Sequence, residues 1–243
     1  MTEGKMLALV IKASDFNEYD RIVTLLCAGG RFTAILKGVK KEKAKLKFAA
    51  EPFCFGEFQL TGRDGAMPTV TGCEQQESFF EITKDLTRYY CGCTVLELAL
   101  WTAQENQENP SLFVCVLKAL QQLCVNEVNP AFVLIKFILD VFDNLGQKLV
   151  FDRCAECGKA VTEKLYFDFE GGGVLCGGCA GSSASLPDPA VAAVLRIVSS
   201  FDFERLRSYK CGDGLIKNTL LFLNGLVQNH IHKIKSIKEL VEL

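Results

Sequence analysis

Histidine is almost absent from this chain. The only two, His230 and His232, lie two positions apart near the C-terminus, where a helix would turn them to different faces, so they cannot jointly bind a metal. No Gly-x-x-x-x-Gly-Lys-Ser/Thr loop, no Gly-x-Gly-x-x-Gly after a strand and no Gly-x-Ser-x-Gly elbow occurs. The commonest sequence grounds for nucleotide, dinucleotide or serine-hydrolase chemistry are therefore missing. Long apolar runs are missing too. Leu7-Ala-Leu-Val-Ile11 is stopped by Lys12, too short for a secretory core, and no later run approaches bilayer-spanning length. Nor does one sign of charge dominate. A net charge of −2, with 23% charged and 49% hydrophobic residues, marks a globular chain and excludes both disorder and a globally basic nucleic-acid binder. Any affinity for a polyanion must be local, and the expected location is the cytoplasm.

Cysteine, by contrast, is abundant, with 12 in 243 residues. Four fall in two pairs, Cys154-Ala-Glu-Cys157 and Cys176-Gly-Gly-Cys179, separated by 18 residues, the spacing of a tetrahedral zinc site. A two-residue spacer lets both sulfurs of a pair turn toward one point about 2.3 Å from each. Gly158, Gly177 and Gly178 are expected to relieve the crowding of such tight turns. Between the pairs, Leu165-Tyr-Phe-Asp-Phe169 and Glu170-Gly-Gly-Gly173 read as a short strand and a turn. The unit is expected to be a zinc ribbon with one structural zinc per chain. Four thiolates leave no open position for a water nucleophile, so such a metal is not catalytic. The competing reading is a redox pair or a disulfide framework. Thioredoxin-like pairs, however, sit singly at the start of a helix in a βαβ unit, which this segment does not resemble. The remaining eight (Cys27, Cys54, Cys73, Cys91, Cys93, Cys115, Cys124, Cys211) read as small buried apolar residues.

The length allows one large or two ordinary domains. Up to about Ser78 the chain reads as strands: Lys5–Lys12, Asp20–Leu26, Gly30–Lys37, Phe53–Leu60 and Met67–Cys73. In the fourth, Phe53 and Phe55 share a phase that Phe58 and Leu60 do not, which predicts a β-bulge at Gly56-Glu57. Five strands with a bend fit an OB-fold barrel better than a sandwich. Beyond Ser78 the period changes to three and four. Phe79, Ile82, Leu86, Tyr89, Cys93, Leu96 and Leu100 predict an amphipathic helix. Asn109-Pro110 and Asn129-Pro130 predict capped helix starts, and Gly146 a helix end. Helical pattern resumes over Pro189–Ser199 and from Leu215 to Ile231. The expected fold is α+β: an N-terminal five-stranded OB-fold barrel over residues 1–78, then an α-helical domain over 79–243 with the four-cysteine ribbon inserted at 150–182.

Between the third and fourth strands lies Lys37-Gly-Val-Lys-Lys-Glu-Lys-Ala-Lys-Leu-Lys47, six lysines against one glutamate. A glycine-entered loop of ammonium groups on the mouth of a small barrel can track a phosphate backbone, with affinity from counterion release. With Arg31 on the outward face of the third strand, the candidate nucleic-acid contacts are Arg31, Lys37, Lys40, Lys41, Lys43, Lys45 and Lys47. The plainer reading is a solvated charged loop. Three functional classes stay open on the residues alone: a non-enzymatic DNA mediator, a zinc-ribbon regulator of transcription or protein contacts, and a thiol enzyme using Cys91 or Cys93. A regulator should concentrate cations at the ribbon, yet between Arg153 and Ala180 there are three Lys or Arg against four Asp or Glu. A thiol enzyme needs a nearby histidine base, and none is suggested.

Several segments together resemble a known family. Ala8-Leu-Val-Ile-Lys12, Glu18-Tyr-Asp-Arg-Ile-Val-Thr-Leu25, Gly30-Arg-Phe-Thr-Ala-Ile-Leu-Lys-Gly-Val-Lys-Lys41, Pro52-Phe53, Phe58-Gln-Leu60, Asp152-Arg-Cys-Ala-Glu-Cys157, Gly172-Gly-Val-Leu-Cys-Gly-Gly-Cys179 and Ile234-Lys-Ser-Ile237 are similar, in this order, to the bacterial RecO family of DNA repair proteins, the recombination mediators. The resemblance implies an OB-fold followed by a helical domain carrying a zinc ribbon. It implies binding of single- and double-stranded DNA and annealing of complementary strands. The implied partners are RecR, the acidic C-terminal tail of single-stranded DNA-binding protein and, indirectly, RecA, with no enzyme activity and a cytoplasmic, nucleoid-associated location. Family members often carry arginine where this chain has Lys40 and Lys41, which changes phosphate geometry but not charge. For the partner tail the resemblance points to the helical domain, where Lys118 and Lys136 are candidate cations.

Overall fold

The computed structural model describes residues 2–63, 65–161, 165–182 and 188–242, with the backbone alone at 2 and 3. Thr162–Lys164 of the expected ribbon insert, and residues 1, 64, 183–187 and 243 of the two expected domains, lie outside the described residues. Contacts divide the chain into two compact units, one of Met1–Lys84 with Leu96–Leu117 and one of Asp85–Val95 with Lys118–Leu243.

Five strands open the first unit: β1 (Thr2–Asp15), β2 (Arg21–Cys27), β3 (Gly30–Leu36), β4 (Phe55–Gly62) and β5 (Thr69–Glu77). They close in the order β1-β2-β3-β5-β4, with β4 back on β1; only β3 and β5 run parallel. This is the OB-fold barrel. Its interior is filled by inward-facing small and medium residues around one large ring: Ala8, Val10, Val23, Leu25, Ala34, Leu36, Phe58 and Val70 are buried together. The expected bulge in β4 is corrected. Against β1, β4 runs unbroken from Leu9↔Phe55 to Thr2↔Gly62; the slips lie on β5, where Thr71 and Gln76 are the extra residues. Phe55 and Phe58 therefore alternate normally. Phe58 points into the barrel, and Phe55 points outward onto Phe113, ring centroids 6.3 Å apart. Gly56 faces in where β5 crosses, and a Cβ there would run into the Glu74 carbonyl.

The helices are α1 (Leu86–Thr102), α2 (Pro110–Leu123), α3 (Pro130–Asn144), α4 (Pro189–Ser199), α5 (Asp213–His230) and α6 (Lys235–Glu242), with a hairpin of β6 (Leu165–Asp168) and β7 (Gly173–Cys176) before α4. The first unit extends beyond the five strands because the segment after α1 pairs with β3. The Arg31 N–H donates to the Gln104 carbonyl at 3.0 Å, the Asn106 N–H to Arg31 at 3.2 Å, and the Asn109 N–H to Ala28 at 2.9 Å.

Capping reads as expected. The Asn109 side chain accepts from the Leu112 N–H at 3.0 Å, and Asn129 from Ala131 at 2.9 Å, each ahead of a proline. Gly146, at φ +74, ends α3 with its N–H on Asp143 and that of Gln147 on Phe142, a Schellman turn. α1 departs from expectation. It starts at Leu86, after a 3-10 turn at Phe80–Lys84. Its buried residues include Cys91, Thr94, Val95, Leu98, Ala99 and Thr102; of the expected stripe Leu96 is buried, while Leu86 and Tyr89 are exposed. The helix is apolar nearly all round, so no polar face set its phase in the sequence. In the second unit α3 is buried along most of its length and packs on α4 and α5, with α6 on α5.

Candidate metal centre and nucleic-acid interface

The ribbon is built by backbone hydrogen bonds that bring two distant turns to one point. Gly158, at φ +71, closes the first turn with its N–H on the Cys154 carbonyl at 2.9 Å, and the Cys154 N–H returns to Lys159 at 2.8 Å. The Ala155 N–H then donates to Val174 on β7 at 2.7 Å, laying the first turn against the strand that ends in Cys176. The second turn is closed by the N–H groups of Cys179 and Ala180 on the Cys176 carbonyl, at 3.0 and 2.9 Å. Of the three glycines expected to relieve crowding, only Gly158 requires the left-handed backbone; a Cβ at Gly177 or Gly178 meets nothing closer than 3.9 Å. The four sulfurs of Cys154, Cys157, Cys176 and Cys179 all lie within 4.8 Å of one another, and Cys157 Sγ is 3.7 Å from Cys176 Sγ. A regular tetrahedron with metal–sulfur bonds of about 2.3 Å places its sulfurs roughly 3.8 Å apart. The cluster can hold a metal ion.

Its electrostatics favour a cation. The N–H groups of Cys157 and then Cys176 point at the Cys154 sulfur and bring its thiol down to about 6. The N–H groups of Gly178 and Cys179 likewise lower Cys176. Cys179 is pushed up to about 12, because its sulfur shares hydrogen bonds with Cys176 and Cys157 and would add a further negative charge beside them. A cluster that favours charge on two sulfurs and resists it on another ionises fully only around a cation. The ribbon sits on an aromatic base. Phe167 is fully buried and meets Phe222 of α5 edge-on at 4.9 Å and Phe169 at 5.3 Å. His230 Nε2 donates to the Phe169 carbonyl at 2.7 Å, which pins the hairpin turn to α5.

The lysine loop leaves β3 through Gly38, at φ +65, and is anchored by buried Val39 and by Leu46 and Phe48 packed on the barrel core. Lys37, Lys40, Lys41, Lys43, Lys45 and Lys47 are all exposed. The β1–β2 turn holds the start of this loop. Asp20 accepts the Gly38 N–H at 2.7 Å, the Lys40 N–H donates to the Tyr19 carbonyl at 3.0 Å, and Lys40 Nζ pairs with Asp15 at 2.7 Å. Asp15 is held below the usual carboxylate range by its hydrogen bonds from Lys40 and then Arg21, and Asp20 by the Gly38 N–H and then Asn17. Lys41 Nζ lies 5.4 Å from the centre of the Tyr19 ring, within cation–π range.

Arg31 is not part of this group. It sits at the opposite end of β3, where its Nε donates to the Ala103 carbonyl at 2.8 Å and its guanidinium faces Glu105 at 3.5 Å. A strand of seven residues puts roughly 20 Å between it and Lys37. Lys136 is also corrected. It is buried at 8% exposure, pairs with Asp140 one turn along α3 and lies 5.6 Å from the Phe203 ring centre, so its charge is engaged within the second unit. Lys118 is exposed on α2. Phe48, which opens the 3-10 turn after the loop, and Phe53, just past that turn, belong to packing: Phe53 is 5% exposed and Phe48 lies on the core. Phe16 and Tyr19 are exposed rings on the β1–β2 turn that holds the loop, and the Tyr19 ring lies beside Lys41. Their one sequence signal was two aromatics within a turn of polar and acidic residues.

Comparison with known proteins now bears on this geometry. Residues 1–79 match the family described as Recombination protein O N terminal, and residues 83–238 match Recombination protein O C terminal. The chain belongs to the RecO family. A DNA repair protein RecO from Acetivibrio thermocellus is 28% identical, with 97% of this chain and 96% of the relative covered. One from Dehalococcoides mccartyi is 28% identical over 94% and 91%, and one from Bacillus pumilus 30% identical over 83% and 79%. In this RecO-family chain both modules are present among the described residues: the OB-fold barrel and the helical unit bearing a four-cysteine ribbon. No helix among the described residues is long and apolar enough to cross a membrane.

Proposed function

We propose that this chain is a non-enzymatic mediator of DNA repair and homologous recombination. It binds single- and double-stranded DNA through the barrel domain of residues 1–78, anneals complementary strands and, with RecR, assists RecA loading. The observation that carries the reading is the lysine loop: six exposed ammonium groups on a segment fastened to the barrel at Val39, Leu46 and Phe48. Such an array binds the phosphate backbone without reading bases, which suits a protein that must act on any sequence. Lys37, Lys41, Lys43, Lys45 and Lys47 are the principal contacts. Lys40, paired with Asp15, fastens the loop to the β1–β2 turn.

The metal is zinc, held by Cys154, Cys157, Cys176 and Cys179. Four soft thiolates in a tetrahedral array select zinc or iron–sulfur chemistry, and two short knuckles on a two-stranded hairpin are the framework of a structural zinc ribbon. The helical domain of residues 79–243 is the site for the tail of single-stranded DNA-binding protein, with Lys118 as the exposed candidate cation. A salt titration tests the DNA reading. Each lysine that releases a counterion contributes about 0.7 to the slope of log affinity against log salt on single strands. The triple substitution Lys41→Ala, Lys43→Ala, Lys45→Ala should therefore flatten the slope by about 2 and slow annealing while the barrel stays folded. An unchanged slope in the folded variant would refute the loop as the DNA site.

A further inference from the structure

We propose that Phe16 and Tyr19, on the turn between β1 and β2, form a platform on which unpaired bases of single-stranded DNA stack beside the lysines that hold its phosphates. The inference rests on the DNA-binding reading of the lysine loop and adds the substrate form that the site selects.

Phe16 and Tyr19 are 54% and 44% exposed, in a turn where the neighbouring residues are polar. Hydrogen bonds fix the turn that carries them. The Phe16 N–H donates to the Asp20 carbonyl at 3.1 Å, Asn17 donates to the Asp20 carboxylate at 3.2 Å, and the Gly38 N–H holds that same carboxylate from the lysine loop. Leaving two large rings in water forgoes burial energy; what points to a ligand is that they sit on the turn that fastens the lysine loop. The loop there is cationic: Lys40 is fastened to the turn by its N–H on the Tyr19 carbonyl, and the Lys41 ammonium stands 5.4 Å from the Tyr19 ring centre.

Charge complementarity selects the occupant. The three acids of the turn are engaged locally, Asp15 by Lys40 and Arg21, Asp20 by Gly38 and Asn17, and Glu18 by the Tyr19 hydroxyl. Only Asp15 is paired with cations; Asp20 and Glu18 are bonded by neutral groups and subtract from the patch, which is positive because the six lysines of residues 37–47 outnumber the three acids of the turn and Glu42. A ligand that offers flat apolar faces and regularly spaced negative charges is an unpaired polynucleotide strand. A duplex offers the same phosphates but keeps its base faces stacked inside. The lysines thus hold either form, and the rings hold only the single strand.

Three probes of equal length test this: a mixed-sequence single strand, its duplex, and a single strand of abasic residues. Each is titrated against the parent chain, the double variant Phe16→Ala, Tyr19→Ala, and the triple lysine variant described above. The parent should bind the base-bearing strand more tightly than the abasic one. The aromatic variant should lose on the order of tenfold or more on the base-bearing strand, with its affinity for the abasic strand and duplex and its salt slope unchanged. Equal binding of base-bearing and abasic strands by the parent overturns the platform without recourse to any variant. An aromatic variant that binds like the parent, alongside a weakened lysine variant, overturns the platform and leaves the loop reading intact. If neither variant is weakened, the loop reading fails and the platform with it. Equal losses on all three probes would show that the rings do not act on bases and would also overturn it.

Discussion

Removing the metal should unfold the ribbon and leave the barrel intact. The hairpin has two strands of four residues each, and an isolated two-stranded hairpin is marginal in water. Two forces hold it. Phe167 and Phe169 pack on Phe222 of α5, with His230 bonded to the Phe169 carbonyl. Fully burying a phenylalanine side chain contributes about 1.5–3 kcal/mol, and Phe169 is only half-buried, so the two rings give at most about 3–6 kcal/mol. A structural zinc supplies on the order of 10 kcal/mol of apparent folding free energy to an isolated finger, which makes the metal the larger share. Cys157→Ser, or chelation, should therefore release residues around both knuckles. The Ala155 N–H, bonded to Val174, and the Gly172 N–H, bonded to Asp168, should lose protection from hydrogen exchange. Amides of β2 and β3, which pair within the first unit, should keep theirs. Metal analysis of the purified chain should return one zinc per chain, and duplex binding through the lysine loop should survive chelation. Metal-free protein with undiminished protection over residues 165–176 would refute the reasoning, because the aromatic base alone would then suffice.

Two further outcomes are expected. The Arg88 guanidinium donates to the carbonyls of Leu123, Val125, Asn126 and Val128 at 2.6, 2.9, 3.1 and 3.4 Å, closing the C-terminal end of α2. Arg88→Ala should cost about 2–4 kcal/mol in chemical denaturation, since it strands several carbonyls together, and Arg88→Lys should rescue little because a point charge cannot span four acceptors. Asp15 and Asp20 both have depressed folded-state values, so their contribution is present above the ordinary carboxylate value of about 3.9 and is lost as pH falls through the lower folded values. Only as pH falls through those lowered values should the Gly38 amide exchange faster and the Lys40–Asp15 pair break. Carboxylate carbon shifts followed by NMR check the order of events, and ordinary titration of both acids would refute the stapling of turn to loop.

What was legible in the sequence follows the range of the contacts that decide each feature. Asn109, Asn129 and Gly146 announce helix ends because the bonds they make reach residues two to four positions away, and the two cysteine pairs announce a metal because each turn closes on itself. The phase of α1 was not legible, since an all-round apolar helix leaves burial to its tertiary neighbours. The phase of β4 was misread for a related reason: Phe55 is apolar on account of Phe113, 58 positions away, not of a bulge in its own strand. Charge is the sharpest case. A sequence counts cations, whereas a surface presents only those left after internal pairing. Arg31 faces Glu105, Lys136 is engaged by Asp140, and Lys40 pairs with Asp15. Of the cations singled out, those three stabilise the units that carry them. The rest of the loop's lysines stay exposed, and the loop's position is set by the Asp20–Gly38 and Tyr19–Lys40 bonds. Those same bonds hold the turn that carries Phe16 and Tyr19 against the loop, so under the proposed DNA reading one local fastening sets both where phosphates are held and which strand offers its bases.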